Sequence, residues 1–255
     1  MGTLILLLPL GLVAGLLSGL LGIGGGLVFS PLLMAMGLSP HAALATSTVA
    51  IVPTTLGGTW AHLRTGTLPL KGGVSISAGA AVAGGLFSHL GVLLAGWHLL
   101  ALQALMYALI ALTFAPPAPR PEAASADPGI GDLVGLAVVG LLAGLASGML
   151  GIGGGILMVP LMVRLLAVPV HQAVRYSTLA VLVASFSAAS AFLQDGRALL
   201  PFSLLLGSAA ALGAQWSAKR LNRVPERQLV VVMRMFTAFL ALENGRRAWL
   251  LLAAG

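Results

Sequence analysis

A glycine-broken apolar segment is present twice in this chain. Residues 11–32 read GLVAGLLSGLLGIGGGLVFSPL and residues 140–161 read GLLAGLASGMLGIGGGILMVPL. Gly15 corresponds to Gly144, an offset of 144 − 15 = 129. After a one-residue insertion the similarity continues through the pairs His41/His171, Ser47/Ser177 and Thr48/Thr178. A duplicated apolar helix interrupted by glycines is typical of membrane transporters that build a substrate site from broken helices.

The composition predicts that lipid covers much of the surface. Of the 255 residues, 58% are hydrophobic and only 7% are charged, whereas an average soluble domain is about 25% charged. The mean hydropathy is +1.05. Because so few polar side chains cannot cover a soluble globule of this length, we predict an integral membrane protein that crosses the bilayer several times.

The charge of the chain points to the membrane rather than to nucleic acid. A formal net charge of +7 would suit a nucleic-acid-binding protein, but the basic residues are scattered between apolar runs and form no stripe with aromatic residues. We interpret them as topology signals that favour anionic lipid headgroups. The chain has no cysteine, which excludes disulfides, thiol chemistry and thiolate metal sites.

Apolar runs predict five helical segments in each half, since a membrane helix needs roughly 17–25 mostly apolar residues. In the first half they are residues 4–22, 26–38, 42–61, 72–95 and 98–114. In the second half they are residues 132–150, 155–169, 172–194, 198–218 and 228–252. The stretch between the halves is rich in Pro, Ala and Gly. We therefore predict an all-α membrane domain with one repeat at 1–114, a linker at 115–131 and a second repeat at 132–255.

Two of these segments, 26–38 and 155–169, are too short to cross about 30 Å of hydrocarbon upright. Each directly follows a glycine run, so we interpret each as the second part of a broken helix, which either spans or re-enters. Irregular backbone at this depth requires shelter by protein or by a water-filled cavity. Glycines at four-residue spacing also predict close packing of the preceding helices. They are Gly11, Gly15 and Gly19, and Gly140, Gly144 and Gly148.

The basic residues further predict that the halves have opposite orientations. Arg64 and Lys71 follow the third segment, whereas the loop near Trp97 after the fourth segment has no Lys or Arg. In the second half, loop 195–197 after the third segment is formally neutral, and the basic cluster at 219–227 follows the fourth. Because basic loops stay cytoplasmic, the sequence predicts an inverted-topology duplication with both termini outside the cytoplasm.

Two glycine runs are the leading candidates for a binding site, namely Gly24, Gly25 and Gly26 in the first half and Gly153, Gly154 and Gly155 in the second. Each glycine lowers helix propensity by about 1 kcal/mol relative to Ala. The runs therefore leave backbone N–H groups unpaired where a new helix begins. A helix N-terminus offers such donors and about half a positive charge, which suits a small anion. The alternative is a tight crossing or hinge without a ligand.

Polar residues at matching places in the third segments are further candidates: Thr46, Ser47 and Thr48, and Tyr176, Ser177 and Thr178. Hydroxyl groups donate to an oxyanion without adding a buried charge, although Ser and Thr also bond back to their own helix. Arg175 stands where the first half has Ala45. Its guanidinium would bind a sulfonate- or carboxylate-like group in bidentate fashion, or alternatively snorkel from the cytoplasmic edge to the headgroups.

Titratable residues within the apolar segments are scarce. His89 lies inside the predicted fourth segment, where an ionisable residue is a candidate for function, here proton coupling. The other histidines fall at segment ends, where an interfacial position is the default: His41, His62, His98 and His171. All six acidic residues lie in loops or near segment ends. We therefore predict no enzyme, no metal site and no cofactor.

These motifs resemble the sulfite exporter TauE/SafE family of bacterial membrane proteins. The resemblance rests on Gly19-x-x-Gly22-x-Gly24-Gly25-Gly26 followed by Pro31, on Ala43-x-x-Thr46-Ser47, and on their second-half copies. The chain length and central linker also fit. The resemblance implies export of small sulfur-containing anions such as sulfite or organosulfonates. The chain departs from the family pattern at Arg175-Tyr176, where a small residue followed by Thr is usual.

The resulting hypothesis is an anion exporter of the bacterial inner membrane that works by alternating access. Export of an anion from a negative interior is downhill by about 2.3 kcal/mol per charge per 100 mV, so no carboxylate relay is required. An anion channel with the same site and a non-transporting membrane scaffold are the alternatives. The expected partners are a small anion and the lipid bilayer, without nucleic acid, and the sequence leaves the oligomeric state open.

Overall fold

The computed structural model describes residues 2–114 and 129–253, which form ten α-helices and two 3-10 turns and contain no strand. The helices of the first half are α1 (Gly2–Leu21), α2 (Gly26–Ala35), α3 (Pro40–Arg64), α4 (Leu70–Phe87) and α5 (Gly96–Thr113). Those of the second half are α6 (Ile130–Leu150), α7 (Gly155–Leu165), α8 (Val170–Gln194), α9 (Leu200–Ala218) and α10 (Glu226–Ala253). The 3-10 turns are Leu90–Leu93 and Leu221–Arg223. Each predicted segment corresponds to one of these helices.

The largest error in the predicted boundaries concerns the fourth segment, 72–95. Helix α4 ends at Phe87, and the chain continues in a 3-10 turn. That turn brings Gly91 against the backbone of Met149, where an added Cβ would lie 2.5 Å from the carbonyl oxygen. In the predicted linker, α6 already begins at Ile130. Residues 115–128 lie outside the described residues, so the linker and the division into two repeats stay predictions.

Four of the helices are long and apolar enough to cross a membrane on length and composition alone. They are α4, α5, α6 and α8. Helix α8 is both a candidate span and the most enclosed of the four, since 61% of its apolar window is buried inside the protein. An all-helical, multi-pass membrane protein is therefore supported.

Helices α3 and α8 lie at the centre and are antiparallel. Near the start of α3, Ala45 packs with Ala188 and Phe192 from the end of α8. Near the end of α3, a Cβ on Gly58 would lie 3.0 Å from Thr178. We call the end of the bundle where α3 begins the His41 end and the end where α8 begins the His171 end.

Small residues bring the remaining helices close, as their spacing predicts. Helix α1 runs parallel to α9, and a Cβ on Gly15 would lie 2.0 Å from the Ala210 carbonyl oxygen. Helix α6 runs parallel to α4 in the same way, with 2.5 Å between a Cβ on Gly144 and the Ala80 carbonyl oxygen. The first helix of each half therefore packs on the fourth helix of the other half, which interlocks the halves.

Each glycine break joins a long helix to a short helix that turns back. Helix α2 has 10 residues and α7 has 11, about 15–17 Å at 1.5 Å per residue, which is too short to cross. Helix α1 runs from the His41 end along α9 as far as Ser217, near the His171 end, and α2 returns to the His41 end, where α3 begins. Helices α6 and α7 make the same excursion from the His171 end.

Candidate functional site

The backbone at both breaks adopts conformations that favour glycine. In the first break Gly22, Gly24 and Gly25 have φ angles of 68°, 79° and 85°. In the second break Gly151, Gly153 and Gly154 have φ angles of 63°, 82° and 68°. Side chains with a Cβ are strained in this left-handed region. The duplicated glycines are therefore required by the backbone path itself.

The two breaks contact each other in the buried centre of the protein. A Cβ on Gly26 would lie 3.0 Å from the carbonyl oxygen of Ile152. A Cβ on Gly155 would lie only 2.2 Å from the carbonyl oxygen of Gly22. All residues from 22 to 27 and from 151 to 156 are buried. The structure thus brings together the two glycine runs that the sequence singles out, and in this state no space separates them.

Both breaks present helix N-termini with unused donors. The first hydrogen bonds of α2 run from the amides of Val28 and Phe29 to the carbonyl of Gly25. The first of α7 run from Leu157 and Met158 to Gly154. The amides that precede them have no partner within their own helix. Two partial positive charges of the helix dipoles therefore lie close together in a protein interior.

The hydroxyl groups predicted to serve the site anchor the breaks to α3 and α8. Ser47 Oγ donates to the Gly26 carbonyl at 3.3 Å, and Ser177 Oγ donates to the Gly22 carbonyl at 2.6 Å. Thr48 Oγ1 bonds the Leu44 carbonyl of its own helix at 2.9 Å and the Gly151 carbonyl at 3.3 Å. Each central helix thus holds the break of the opposite half through one hydroxyl, and α3 also holds the break of its own half through Ser47.

Three of the candidate residues do not contact the breaks through their polar groups. Thr178 Oγ1 donates only to its own helix, at the Val174 carbonyl. Thr46 Oγ1 accepts from the Leu199 amide at the start of α9. The Tyr176 hydroxyl accepts from Gln172 and lies against Gly72 of α4. Thr46 and Tyr176 therefore join the central helices to α9 and α4.

Arg175 lies toward the His171 end, one residue from the contact between Val174 and Gly22. A Cβ on Gly22 would lie 2.8 Å from the Val174 carbonyl oxygen. The Arg175 guanidinium points elsewhere and donates through Nη2 to Asn222 Oδ1. Its Nε is buried without a partner in the described part of the chain. Arg175 therefore has a spare donor, and the residue before it, Val174, packs on the first break.

A small cavity lies beside Ala45, the residue of the first half that corresponds to Arg175. Its volume is about 10 Å³, room for about one water molecule. Its lining includes His41, Leu44, Ala45 and Met149. Leu44 packs on Gly151, since an added Cβ would lie 2.9 Å from the Leu44 Cβ. The cavity therefore approaches the second break from the His41 end, on the side where Ala45 replaces an arginine.

The position of His89 differs from the prediction. Because α4 ends at Phe87, His89 lies beyond the helix rather than within a membrane segment. Its side chain is 65% exposed, and its Nδ1 lies 3.9 Å from Asp195 Oδ2 at the end of α8. The assignment of His89 to membrane depth was therefore wrong, and proton coupling through it stays an untested prediction.

The chain is similar to known proteins over most of its length. The model of the sulfite exporter TauE/SafE family matches residues 7–243. The chain belongs to this family. The resemblance inferred from the glycine motifs is therefore confirmed.

The relatives of this TauE/SafE family member are named as transporters. It is 27% identical to the probable membrane transporter protein YunE of Bacillus subtilis, over 91% of this chain and 93% of that protein. It is 32% identical to a probable membrane transporter protein of Xylella fastidiosa, over 70% of each chain. No solved structure matches. The protein is a membrane transporter, and this membership favours transport over catalysis.

Two histidines that the sequence places at the interface have a structural role. His41 Nε2 lies 3.0 Å from the Leu94 carbonyl oxygen, and His171 Nε2 lies 2.9 Å from that of Val224. His171 also pairs with Glu226 at 3.2 Å. Each histidine ties the start of a central helix to the connection before the fifth helix of its own half. Their duplication in the sequence was the signal for this shared role.

A buried amide network beside the second break was missed. Gln103 of α5 and Asn244 of α10 are each 1% exposed. Gln103 Nε2 donates to the carbonyl of Leu150, the last residue of α6, at 2.8 Å. Asn244 Nδ2 donates to Gln103 Oε1 at 2.7 Å. The signal was the single amide Gln103 within an apolar helix, without a counterpart in the other half, where Met233 corresponds to it.

Replacing Gln103 by leucine is expected to cost more stability than replacing Asn244. Gln103→Leu leaves both the Leu150 carbonyl and the Asn244 amide without a partner, whereas Asn244→Leu leaves the bond to Leu150 intact. Hydrogen bonds between membrane helices average about 0.6 kcal/mol and reach about 1.7 kcal/mol. We expect Gln103→Leu to lower the free energy of unfolding by an amount near the upper value. Denaturant unfolding in micelles measures this loss. Equal losses in both variants would contradict this order.

Acidic side chains lie away from the breaks in the described part of the chain. Asp195 pairs with Arg197, Glu226 with His171, and Glu243 with Arg246 and Arg247. Asp132 Oδ2 accepts from the Gly129 amide. Glu122 and Asp127 lie outside the described residues. No group of metal-ligating side chains occurs among the described residues. A break lined by amides and hydroxyls without carboxylates suits an anion better than a cation.

Proposed function

We propose that the protein exports a small anion, such as sulfite or an organosulfonate, from the bacterial cytoplasm across the inner membrane. The observation that carries this proposal is the meeting of two glycine-broken helix N-termini in a buried, carboxylate-free centre. Unpaired amides at such N-termini favour an anion. The family description, sulfite exporter, supports a sulfur oxyanion or a sulfonate as the substrate class.

The anion binds between the breaks, at residues 24–26 and 153–155. Ser47, Thr48 and Ser177 now donate to carbonyls of the breaks, and their hydroxyls turn to the anion when the breaks separate. Thr178, Thr46 and Tyr176 support the site from the central helices. Amide and hydroxyl donors stabilise the anion without a buried countercharge, which keeps binding reversible.

Transport proceeds by alternating access between inverted repeats. The contact of 2.2 Å that a Cβ on Gly155 would make with the Gly22 carbonyl leaves no room for an anion. The present state is therefore occluded, and binding requires one hairpin to move relative to the other. Hairpins that re-enter from opposite ends, on antiparallel central helices, are the geometry that such rocking of repeats uses.

Arg175 receives the anion on the cytoplasmic side. The His171 end carries Arg64, Lys71 and residues 219–227, and basic loops stay cytoplasmic. The spare Nε of Arg175 supports this role, since Arg175 follows Val174, which packs on Gly22 of the first break. At the His41 end the corresponding Ala45 lines a small cavity together with Arg197, and the anion departs on this side past the Arg197 guanidinium.

Ligand-dependent stability tests the substrate class first. Purified protein in detergent is heated with sulfite, thiosulfate, sulfoacetate, sulfate, acetate or chloride. We expect Tm to rise with the concentration of sulfite or sulfoacetate, since a ligand at 100 times its Kd stabilises by about 2.7 kcal/mol. Chloride and acetate serve as controls for ionic strength and carboxylate binding. A flat response to all six anions would contradict an anion site.

Counterflow in proteoliposomes then tests alternating access. Vesicles loaded with unlabelled anion are diluted into a trace of labelled anion, and transient accumulation of label is expected. A channel gives saturable or linear flux without such an overshoot. Failure of counterflow together with a positive Tm response would replace the alternating-access mechanism by a channel.

A further inference from the structure

A second cavity lies at the His171 end, on the outer face of α9. None of its lining residues belongs to either break. Its volume is about 390 Å³. It is lined by Leu212, Gln215, Trp216, Lys219, Arg220 and Arg223. Four of these positions follow the spacing i, i+3, i+4, i+7, so they share one face of the helix. The cavity is therefore apolar where α9 enters the membrane and cationic where the helix ends.

The cationic part of the cavity is preorganised. The Arg220 guanidinium lies 3.5 Å over the Trp216 ring, a cation–π contact that fixes both groups. Lys219, Arg220 and Arg223 form no ion pair within residues 2–114 and 129–253. Trp60 lies at the same end beneath Arg64, at 5.2 Å. Tryptophans at this level are typical of the membrane–water interface, so the three cations lie at headgroup depth.

An apolar groove continues from this cavity toward the middle of the membrane. It has a volume of about 360 Å³ and runs between α1 and α9. It is lined by Leu8, Pro9, Leu12, Ser208, Ala209 and Leu212. Leu212 belongs to both the groove and the cationic cavity. A ligand that fills both would have an anionic head and a hydrocarbon chain.

We propose that this face binds one anionic phospholipid, with its phosphate at Lys219 and Arg223 and an acyl chain in the groove between α1 and α9. Arg220, held on Trp216, contributes a third charge near the phosphate. A free phosphate would use only the cationic cavity and leave the groove empty, so the shared Leu212 favours a lipid over a soluble anion. Because α1 leads directly to the first glycine break, the lipid buttresses the hairpin proposed to move.

Lipid binding is measured on the full-length protein in detergent, by native mass spectrometry and by the shift in Tm. The probes are dioleoyl phosphatidylglycerol, dioleoyl phosphatidylcholine and inorganic phosphate. We expect phosphatidylglycerol to bind and raise Tm, phosphatidylcholine to bind more weakly, and inorganic phosphate to have little effect. In the double variant Lys219→Gln/Arg223→Gln, affinity for phosphatidylglycerol falls by about tenfold or more, since each surface charge is worth roughly fivefold.

Two further variants locate the site. Arg64→Gln/Arg227→Gln removes the same charge from the same end of the bundle but outside the cavity, and keeps wild-type affinity. Ser208→Phe fills the exposed groove without changing charge, and weakens phosphatidylglycerol binding severalfold. Equal losses in the two double variants, equal binding of phosphatidylcholine, or a phosphate effect that matches the lipid would each overturn the proposal. None of these readouts uses transport, so failure of the proposed anion export leaves the lipid result interpretable.

Discussion

Replacing Gly155 by alanine is expected to reduce anion transport by about tenfold or more while the protein still inserts in the membrane. The added Cβ would lie 2.2 Å from the Gly22 carbonyl oxygen and 2.9 Å from the Ile23 Cα. Both neighbours are backbone atoms, so the two breaks must separate to accept the methyl group. Separation misaligns the two helix N-termini that are proposed to bind the anion. Transport is measured as efflux from proteoliposomes, normalised to folded protein.

Two matched variants separate this effect from a general loss of packing. Gly131→Ala adds a methyl group where no atom lies within 4 Å, and is expected to leave transport unchanged. Gly144→Ala creates a contact of 2.5 Å with the Ala80 carbonyl oxygen of α4, rather than with the other break. It is expected to lower Tm as much as Gly155→Ala with a smaller loss of transport per folded molecule. Wild-type efflux in Gly155→Ala would exclude the breaks as the binding site.

The helices and the breaks were predictable because they depend on local properties of the chain. Long apolar runs form helices in lipid irrespective of their partners, since backbone groups there must bond internally. Glycine runs stop such helices because they favour the left-handed conformations observed at Gly24 and Gly153. The duplicated sequence also predicted that both breaks contribute to the same binding site. Their mutual contact follows from the way the halves interlock.

Side-chain orientation within a helix was not predictable from one sequence. The run Thr46-Ser47-Thr48 covers most of the circumference of a helix turn, because successive residues are rotated by about 100°. Only Ser47 and Thr48 therefore reach the breaks, while Thr46 meets the start of α9. The prediction for His89 was wrong for another reason. The chain turns after the end of α4 and brings Gly91 against Met149, and such a tertiary contact is not visible in the sequence. The Gln103–Asn244 bond likewise joins residues distant in the sequence.

Replacing Ser177 by alanine is expected to impair transport much more than replacing Thr178 by valine. Ser177 Oγ donates to the Gly22 carbonyl of the first break at 2.6 Å and lies 3.5 Å from the Gly155 carbonyl of the second. Its loss removes the hydroxyl contacts of α8 with both breaks and removes a donor proposed for the anion. Thr178 Oγ1 bonds only the Val174 carbonyl of its own helix, and valine keeps its shape against Gly58.

Efflux and unfolding measured on the same preparations distinguish anchoring from anion binding. Loss of the buried hydrogen bond alone lowers the free energy of unfolding of Ser177→Ala by about 0.6–1.7 kcal/mol. If the variant also binds the anion with the wild-type Kd, Ser177 only anchors the breaks. A Kd for the anion that is weaker in Ser177→Ala than in the wild type, measured where the variant is fully folded, shows that the hydroxyl also contacts the ligand. Comparable transport in Ser177→Ala and Thr178→Val would contradict both roles. Because α3 and α8 hold the breaks through the hydroxyls of Ser47, Thr48 and Ser177 rather than through ion pairs, we expect these bonds to break and re-form during the proposed transport cycle.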